Sequence, residues 1–175
     1  MNLFLIGFRG SGKTTVARVL AKRLGRDLVD TDAWIAERAG KSIAEIFEVE
    51  GEAGFRLLEA QVIAAVCLES DRVVSLGGGA ILNDANRSHF KASGWTVWLD
   101  ARPETLAHRI ATDIEAQGQR PALTDHPLID EVRAVTSERR PLYEAVADHH
   151  VLTDSLEPDA IADNIIAHFP RESVA

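Results

Sequence analysis

The chain has 175 residues, a net charge of -8, and 46% hydrophobic and 26% charged residues. These values suit one globular domain and argue against a general nucleic-acid binder, which normally carries a basic surface. A single cysteine, Cys67, excludes an internal disulfide, and no apolar run is long enough to span a membrane, so we expect a cytoplasmic protein.

Short apolar runs alternate with longer amphipathic segments along the chain. The runs predict five strands, over residues 3–6, 27–30, 73–76, 96–99 and 150–152. Several are apolar at nearly every position, as in parallel strands that are covered on both faces. The longer segments predict helices over residues 14–24, 42–69, 103–112, 128–147 and 158–169, of which the second has a candidate break at Gly51.

The alternation of strands and helices predicts an α/β fold, a three-layer, doubly wound sheet of five parallel strands with helices on both faces. We expect one domain over residues 1–170 and a frayed tail over residues 171–175. In such sheets, ligands bind outside the carboxyl ends of the strands. The motifs described below fall at those ends.

The first strand runs directly into a sequence that matches the P-loop pattern G-x-x-x-x-G-K-[ST] in full, Gly7-Phe8-Arg9-Gly10-Ser11-Gly12-Lys13-Thr14. Its glycines allow successive N–H groups to turn inward around phosphate oxygens, and the helix that follows adds the positive end of its dipole. The alternative is a glycine-rich turn without a ligand. We expect a nucleoside triphosphate to bind here, to Gly10, Ser11, Gly12, Lys13, Thr14 and Thr15. Lys13 can reach the β- and γ-phosphates, and the Thr14 hydroxyl suits a ligand of Mg²⁺.

Two carboxylates, Asp30 and Asp32, follow the second predicted strand. Residues i and i+2 of a strand point to the same side, so both carboxylates are expected on one face of its carboxyl end. One could hold the water shell of Mg²⁺, and the other could orient or deprotonate an attacking hydroxyl group. The structural alternative is that Asp32 caps a helix beginning at Ala33.

Asp100 ends the fourth predicted strand, where a metal-binding acid of a P-loop protein could stand. Ala101-Arg102-Pro103 follows at once, so a role in a turn or at a helix start is the simpler interpretation. A GTPase would also need a guanine-reading Asn-Lys-x-Asp pattern late in the chain, and the sequence has none.

Five further motifs follow in order: Asp30-Thr31-Asp32, a G-E-x-x-F-R-x-x-E pattern over residues 51–59, Gly77-Gly78-Gly79, Arg120-Pro121-Ala122-Leu123 and Arg139-Arg140-Pro141-Leu142-Tyr143. Together with the P-loop they resemble the shikimate kinases over about residues 2–168. Each motif is weak alone, but five in order with similar spacing are hard to reach by accident. The resemblance implies a P-loop kinase fold with a mobile lid over about residues 111–125 and a helical substrate-binding region over about residues 32–60.

The same resemblance implies that the chain transfers the γ-phosphoryl group of ATP to the 3-hydroxyl group of shikimate. This reaction is a step in aromatic amino-acid biosynthesis. Mg²⁺ is the implied cofactor, and shikimate and ATP are the implied small-molecule partners. We expect neither a nucleic-acid nor a membrane partner, and we expect a monomer.

Residue roles follow from the resemblance as well. Catalysis is assigned to Lys13, Asp32 and Arg120, and the metal to Thr14 and Asp30. For shikimate, Asp32 is expected to hold the ring hydroxyls, and Arg56 and Arg139 to bind the carboxylate. The ring itself is expected to contact Gly77, Gly78 and Gly79. A planar guanidinium suits carboxylate binding because it matches a carboxylate bidentately. ATP is also expected to contact Arg120 in the lid, and its adenine is expected to contact Arg109 and residues 153–158, which include Pro158.

Two positions depart from the family pattern. Ala36 stands where a carboxylate is usual, and Ala122 stands where the lid motif usually has leucine. Without the surrounding motifs, a surface ion pair would be the default interpretation of either Arg56 or Arg139. The rival functions are a related kinase acting on gluconate or a nucleoside monophosphate, and a nucleotide-binding switch without catalysis.

Overall fold

The five predicted strands are confirmed in a computed structural model, which describes residues 1–117 and 127–170. They are β1 (Asn2–Ile6), β2 (Asp27–Asp30), β3 (Arg72–Ser75), β4 (Gly94–Asp100) and β5 (His149–Leu152). All neighbouring pairs are parallel, in the order β2-β3-β1-β4-β5. The chain therefore forms the predicted five-stranded, parallel α/β sheet.

Seven α-helices connect and cover these strands within the described residues. They are α1 (Lys13–Leu24), α2 (Thr31–Ala39), α3 (Ile43–Cys67), α4 (Asp84–Ser93), α5 (Pro103–Gln117), α6 (Leu128–Val146) and α7 (Pro158–His168). The predicted break at Gly51 is confirmed, since this residue interrupts α3 with φ 69° and ψ -176°. Of the predicted lid, residues 111–117 belong to α5; the remainder, with Arg120, lies outside the described residues, as does the tail over residues 171–175.

Alternating side chains of the strands divide the core into two layers. On β1, Leu3 and Leu5 pack with buried residues of α1 and α7, whereas Phe4 and Ile6 pack with buried residues of α2, α3, α4 and α6. Strands that bury apolar side chains on both faces explain why their runs are apolar throughout. In the part of the chain that the structure describes, no helix is both long enough and apolar enough to cross a membrane.

The start of α3 shows how a local sequence signal sets a helix boundary. Ser42 precedes the helix, and its hydroxyl accepts from the Glu45 backbone N–H at 3.2 Å, while the Glu45 carboxylate accepts from the Ser42 N–H at 2.7 Å. Each side chain satisfies a backbone donor that the helix itself leaves without a partner. This capping box agrees with the expected helix start near residue 42.

Helix α4 was not predicted, and its composition explains why. Phe90 is its only buried large hydrophobic side chain, so α4 lacks the repeated apolar positions that indicate an amphipathic helix. The one available signal was Asn83, whose side chain accepts from the Ala85 N–H at 2.8 Å and caps the helix. A single aromatic anchor and a cap suffice here because α4 packs against α3 and β4.

The strand order decides where the site forms. β3 lies between β2 and β1, and Ser75 of β3 is level with Asp30 on one side and with Leu5 on the other. The chain segments that leave these three strands therefore emerge side by side at one edge of the sheet. They are the P-loop, the two-acid segment and the triple glycine.

Candidate active site

The P-loop has the backbone geometry that its glycines predict. Gly7, Gly10 and Gly12 have φ of 147°, 77° and 89°, a region that side chains other than glycine rarely adopt. At Gly7 a Cβ would also collide with the Leu99 carbonyl oxygen. The Lys13 ammonium donates to the carbonyl oxygens of Gly7 and Phe8, each at 2.9 Å. The carbonyl oxygens of the loop therefore hold the Lys13 ammonium group within the P-loop.

Asp30 has a structural role that the sequence did not indicate, in addition to its predicted place near the metal. Its Oδ1 accepts from the backbone N–H groups of Asp32, at 3.1 Å, and Ala33, at 3.4 Å, so Asp30 caps α2. The alternative that Asp32 caps this helix is therefore wrong. The prediction that Asp30 and Asp32 share one face of the strand end is wrong as well, since Asp32 lies in the first turn of α2 and not on β2.

The side-chain oxygens of Thr14, Asp30 and Ser75 lie close together where α1 begins. The Thr14 hydroxyl donates to Asp30 Oδ2 at 2.9 Å and lies 3.3 Å from the Ser75 hydroxyl. Hydroxyl and carboxylate oxygens with few protein ligands suit Mg²⁺, which keeps several waters and binds substrate phosphates. The described residues contain no group of three or more histidine, cysteine or acidic side chains placed for a metal. The donor set therefore fits a phosphate-bound Mg²⁺ better than a metal held by protein alone.

A cavity of about 580 Å³ opens along the P-loop. Its wall contains residues 9–16, Asp30, Asp32 and residues 75–78, and on the far side Arg109, Asp113 and residues 154–158. Within the described part of the chain, the cavity therefore collects all the residues predicted to bind the nucleotide or the metal except Thr153. Gly79, Arg56 and Arg139 do not belong to its wall.

At the predicted adenine side, Arg109 is held by hydrogen bonds. Its guanidinium donates to the Thr153 hydroxyl at 3.1 Å, to the Thr153 carbonyl at 2.8 Å and to the Gly10 carbonyl at 3.4 Å. Arg109 thereby ties α5 to the P-loop and to the segment before α7. Pro158 begins α7 at the same wall.

The triple glycine touches both the wall of this cavity and the two predicted carboxylate-binding arginines. A Cβ at Gly77 would meet Asp32 Oδ1 at 2.7 Å and Glu59 Oε1 at 3.1 Å, and a Cβ at Gly79 would run into the Arg56 guanidinium. Arg139 Nη1 donates to the Gly78 carbonyl at 3.2 Å. Asp32, Arg56 and Arg139 are therefore brought together around one segment of bare backbone.

Glu59 is a site residue that the sequence analysis quoted in a motif without giving it a role. Its side chain is 1% exposed, and Oε2 accepts from Arg56 Nη1 at 2.8 Å. Oε1 has no hydrogen-bond partner among the described residues. Burial raises the pKa of Glu59, although Arg56 and Arg139 oppose the rise. The spacing of Arg56 and Glu59, three residues apart on a helix, was the signal that could have revealed the pair.

Two further charged residues clarify the surroundings of the site. Arg9 of the P-loop pairs with the buried Glu131 at the start of α6, with Arg9 Nη2 2.7 Å from Glu131 Oε1. Asp100, considered above as a metal ligand, accepts from Arg140 at 2.9 Å and from the Ala101 N–H at 2.9 Å. Asp100 is not part of the cavity wall. Its contacts give it a structural role at the end of β4.

Comparison with known proteins agrees with this geometry. The sequence profile of the family described as "Shikimate kinase" matches residues 9–170. The chain belongs to the shikimate kinase family. A shikimate kinase of Rhodopirellula baltica is 45% identical over 169 residues, which cover 97% of this chain and 90% of that protein. The protein is thus an enzyme with shikimate kinase activity, an ATP-dependent transferase of aromatic amino-acid biosynthesis.

Solved structures show the same relationship. A shikimate kinase from Acinetobacter baumannii in complex with shikimate superposes with a TM-score of 0.87 at 36% identity, covering 94% of this chain and 90% of that one. A gluconokinase from Sinorhizobium meliloti 1021 reaches a TM-score of 0.60 at 15% identity over 95% of this chain and 89% of that one. The second likeness shows the fold alone.

Replacement of Gly79 by alanine tests whether bare backbone positions Arg56. Gly79 has φ -100°, which alanine adopts easily, and the atoms nearest to the added methyl group belong to the flexible end of Arg56. We expect Gly79→Ala to fold normally but to raise the KM for shikimate about 10- to 100-fold, the cost of a displaced charged hydrogen bond. Gly77→Ala, which meets Asp32 instead, should mainly lower kcat. Steady-state kinetics would contradict this account if Gly79→Ala raised the KM for ATP by the same factor.

The raised pKa of Glu59 predicts a pH dependence of stability. A carboxyl group with a pKa above its unfolded value stabilises the fold fully below the unfolded pKa, and this contribution is lost as pH rises through the folded pKa. Glutamine does not titrate, so the free energy of unfolding of Glu59→Gln should rise relative to wild type between pH about 4 and about 8. Urea unfolding at both pH values measures the change.

A matched control for that experiment is Glu52→Gln, which alters the exposed partner of the same arginine, 3.3 Å from Arg56 Nη2. This variant should change the free energy of unfolding little at either pH, as expected for an exposed ion pair. A difference between Glu59→Gln and wild type that stayed constant with pH would contradict the assignment of a raised pKa to Glu59.

Proposed function

We propose that the chain transfers the γ-phosphoryl group of ATP directly and in line to the 3-hydroxyl group of shikimate. The observation that carries the proposal is the position of the triple glycine. Gly77 and Gly78 border the phosphate cavity together with Asp32, while Gly79 lies against Arg56 and the Gly78 carbonyl accepts from Arg139. Phosphoryl transfer asks for positioning and charge stabilisation more than for covalent work by the protein, and this layout offers both.

The acceptor is held by complementary groups in the proposal. Arg56 and Arg139 receive the shikimate carboxylate, and backbone N–H groups of residues 77–79 lie against the ring. Asp32 accepts a hydrogen bond from the attacking hydroxyl group and takes its proton as the new phosphorus–oxygen bond forms. The bond from the γ-phosphorus to the bridging oxygen breaks, and ADP leaves.

The donor is held by the P-loop. The amides of residues 10–15 and the Lys13 ammonium surround the phosphates, and Arg109, with Pro158 nearby, borders the adenine. Thr14 and Asp30 would hold Mg²⁺, which, when bound, neutralises phosphate charge. Lys13 and Arg120 offset the charge on the transferring group. Arg120 lies outside the described residues, so its assignment rests on the R-P-x-L motif.

The organisation of the whole chain belongs to the same proposal. A single P-loop kinase domain spans residues 1–170, with the substrate-binding helical region over about residues 32–60. A lid over about residues 111–125 closes over ATP and shuts out water, a competing acceptor. We also propose that the chain acts in the cytoplasm, which its single cysteine supports, and that it acts as a monomer.

An assay of ADP release tests the proposal. The purified protein should release ADP with shikimate and not with gluconate or nucleoside monophosphates. Lys13→Ala should keep its fold, judged by circular dichroism, yet lose at least about a hundred- to thousandfold in turnover, the usual cost of one preorganised donor. Near-normal turnover by this folded variant would overturn the assignment of the P-loop.

Arg139→Lys serves as the matched variant on the acceptor side. Lysine keeps the charge but loses the planar fork, so the KM for shikimate should rise about 10- to 100-fold with little change in the KM for ATP. Equal increases in both KM values would rule out a carboxylate clamp.

A further inference from the structure

Tyr143 lies beside the proposed acceptor site but takes no direct part in the proposed phosphoryl transfer. It follows Arg139 by four residues on α6, so the two side chains lie on one face of the helix. Both donate to the same atom: Arg139 Nη1 lies 3.2 Å and the Tyr143 hydroxyl 3.1 Å from the Gly78 carbonyl oxygen. A carbonyl oxygen has two lone pairs, so it can accept both hydrogen bonds at once.

The tyrosine ring has little freedom to leave this position. Tyr143 is 2% exposed, and its ring stacks on Trp98 with centroids 5.4 Å apart and planes 12° apart. Trp98 is itself buried and stacked by His150 on β5, at 4.2 Å. Burial raises the pKa of Tyr143 to about 12, so the hydroxyl remains a donor throughout the neutral range.

The orientation of the Gly78 carbonyl affects the whole acceptor site, because the residues on either side of Gly78 contact groups of that site. Gly77 lies against Asp32, and Gly79 lies against Arg56. At Gly78 itself, a Cβ would lie 3.4 Å from the Arg9 backbone nitrogen, so the segment also rests on the P-loop. A small rotation at Gly78 would therefore move the bare backbone relative to the groups expected to contact shikimate.

We propose that Tyr143 is a positioning residue for the acceptor site. Its hydroxyl fixes the Gly78 carbonyl, and this carbonyl in turn holds Arg139 in the orientation that receives the substrate carboxylate. The inference rests on the proposed role of Arg139. It adds a residue that does not touch the substrate but determines how rigidly the arginine is aimed.

A core aromatic residue could be present for packing alone, and Tyr143→Phe separates the two roles. The variant keeps the ring stacked on Trp98 and removes only the hydroxyl group. Calorimetric titration should show the dissociation constant for shikimate raised about three- to tenfold, the range for one lost hydrogen bond, and that for an ATP analogue changed less than about twofold. Unchanged shikimate affinity, or equal losses for both ligands, would overturn the inference.

A control variant accounts for any general loss of stability. Ile165→Val trims a fully buried side chain of α7, in the layer on the opposite face of the sheet from Tyr143. It should lower the thermal midpoint by an amount similar to Tyr143→Phe while leaving shikimate affinity unchanged. If Ile165→Val weakened shikimate binding as much, the effect of Tyr143→Phe would be one of stability, and the inference would fail.

A double-mutant cycle tests whether Tyr143 acts through Arg139. In the Arg139→Lys background, Tyr143→Phe should cost less shikimate affinity than in wild type, because the orientation it preserves is already lost. Full additivity would overturn the inference. If Arg139→Lys alone left shikimate binding unchanged, the proposed carboxylate clamp would fall first. If it weakened binding while Tyr143→Phe did not, only the role of Tyr143 would fall.

Discussion

Bare backbone at the end of β3 is the constraint on which the rest of the site depends. A Cβ at Gly77 or at Gly79 would fill the space now occupied by Asp32 or by Arg56. Since β3 lies between β2 and β1 in the sheet, the same segment also borders the P-loop. The sheet order brings the phosphate-binding and acceptor-binding groups to one edge, and the missing side chains leave room for Asp32 and Arg56 against the main chain of residues 77–79. Neither feature would suffice alone.

The charge of the site is local and differs from that of the molecule. A chain with a net charge of -8 places Lys13, Arg56 and Arg139 around the two proposed anionic ligands. Glu59 balances part of that charge from a buried position, and burial raises its pKa because desolvation outweighs the attraction of Arg56. A pair of this kind adds little to stability but holds a guanidinium in one orientation. Glu59 accepts directly from Arg56, whereas the Gly78 carbonyl lies between Tyr143 and Arg139.

Much of this arrangement could be predicted from the sequence, because the signals were local. Apolar runs marked all five strands, the P-loop pattern marked the phosphate cavity, and Gly51 marked the break in α3. The features that the sequence did not reveal have different causes. Helix α4 is held by packing on neighbouring elements, whereas the change of direction at Asp30, which caps α2 and moves Asp32 off the strand, is local. The Tyr143 contact with Gly78 joins residues 65 positions apart, which no spacing rule connects.

The central claim is that one shared segment of backbone aims the acceptor at the nucleotide. A crystal structure with shikimate, Mg²⁺ and a non-hydrolysable ATP analogue tests it most directly. We expect the shikimate carboxylate within about 3 Å of both Arg56 and Arg139, a ring hydroxyl hydrogen-bonded to Asp32, and the acceptor oxygen about 3 to 3.5 Å from the γ-phosphorus. A carboxylate bound away from both arginines, or a ring out of reach of the γ-phosphate, would contradict it.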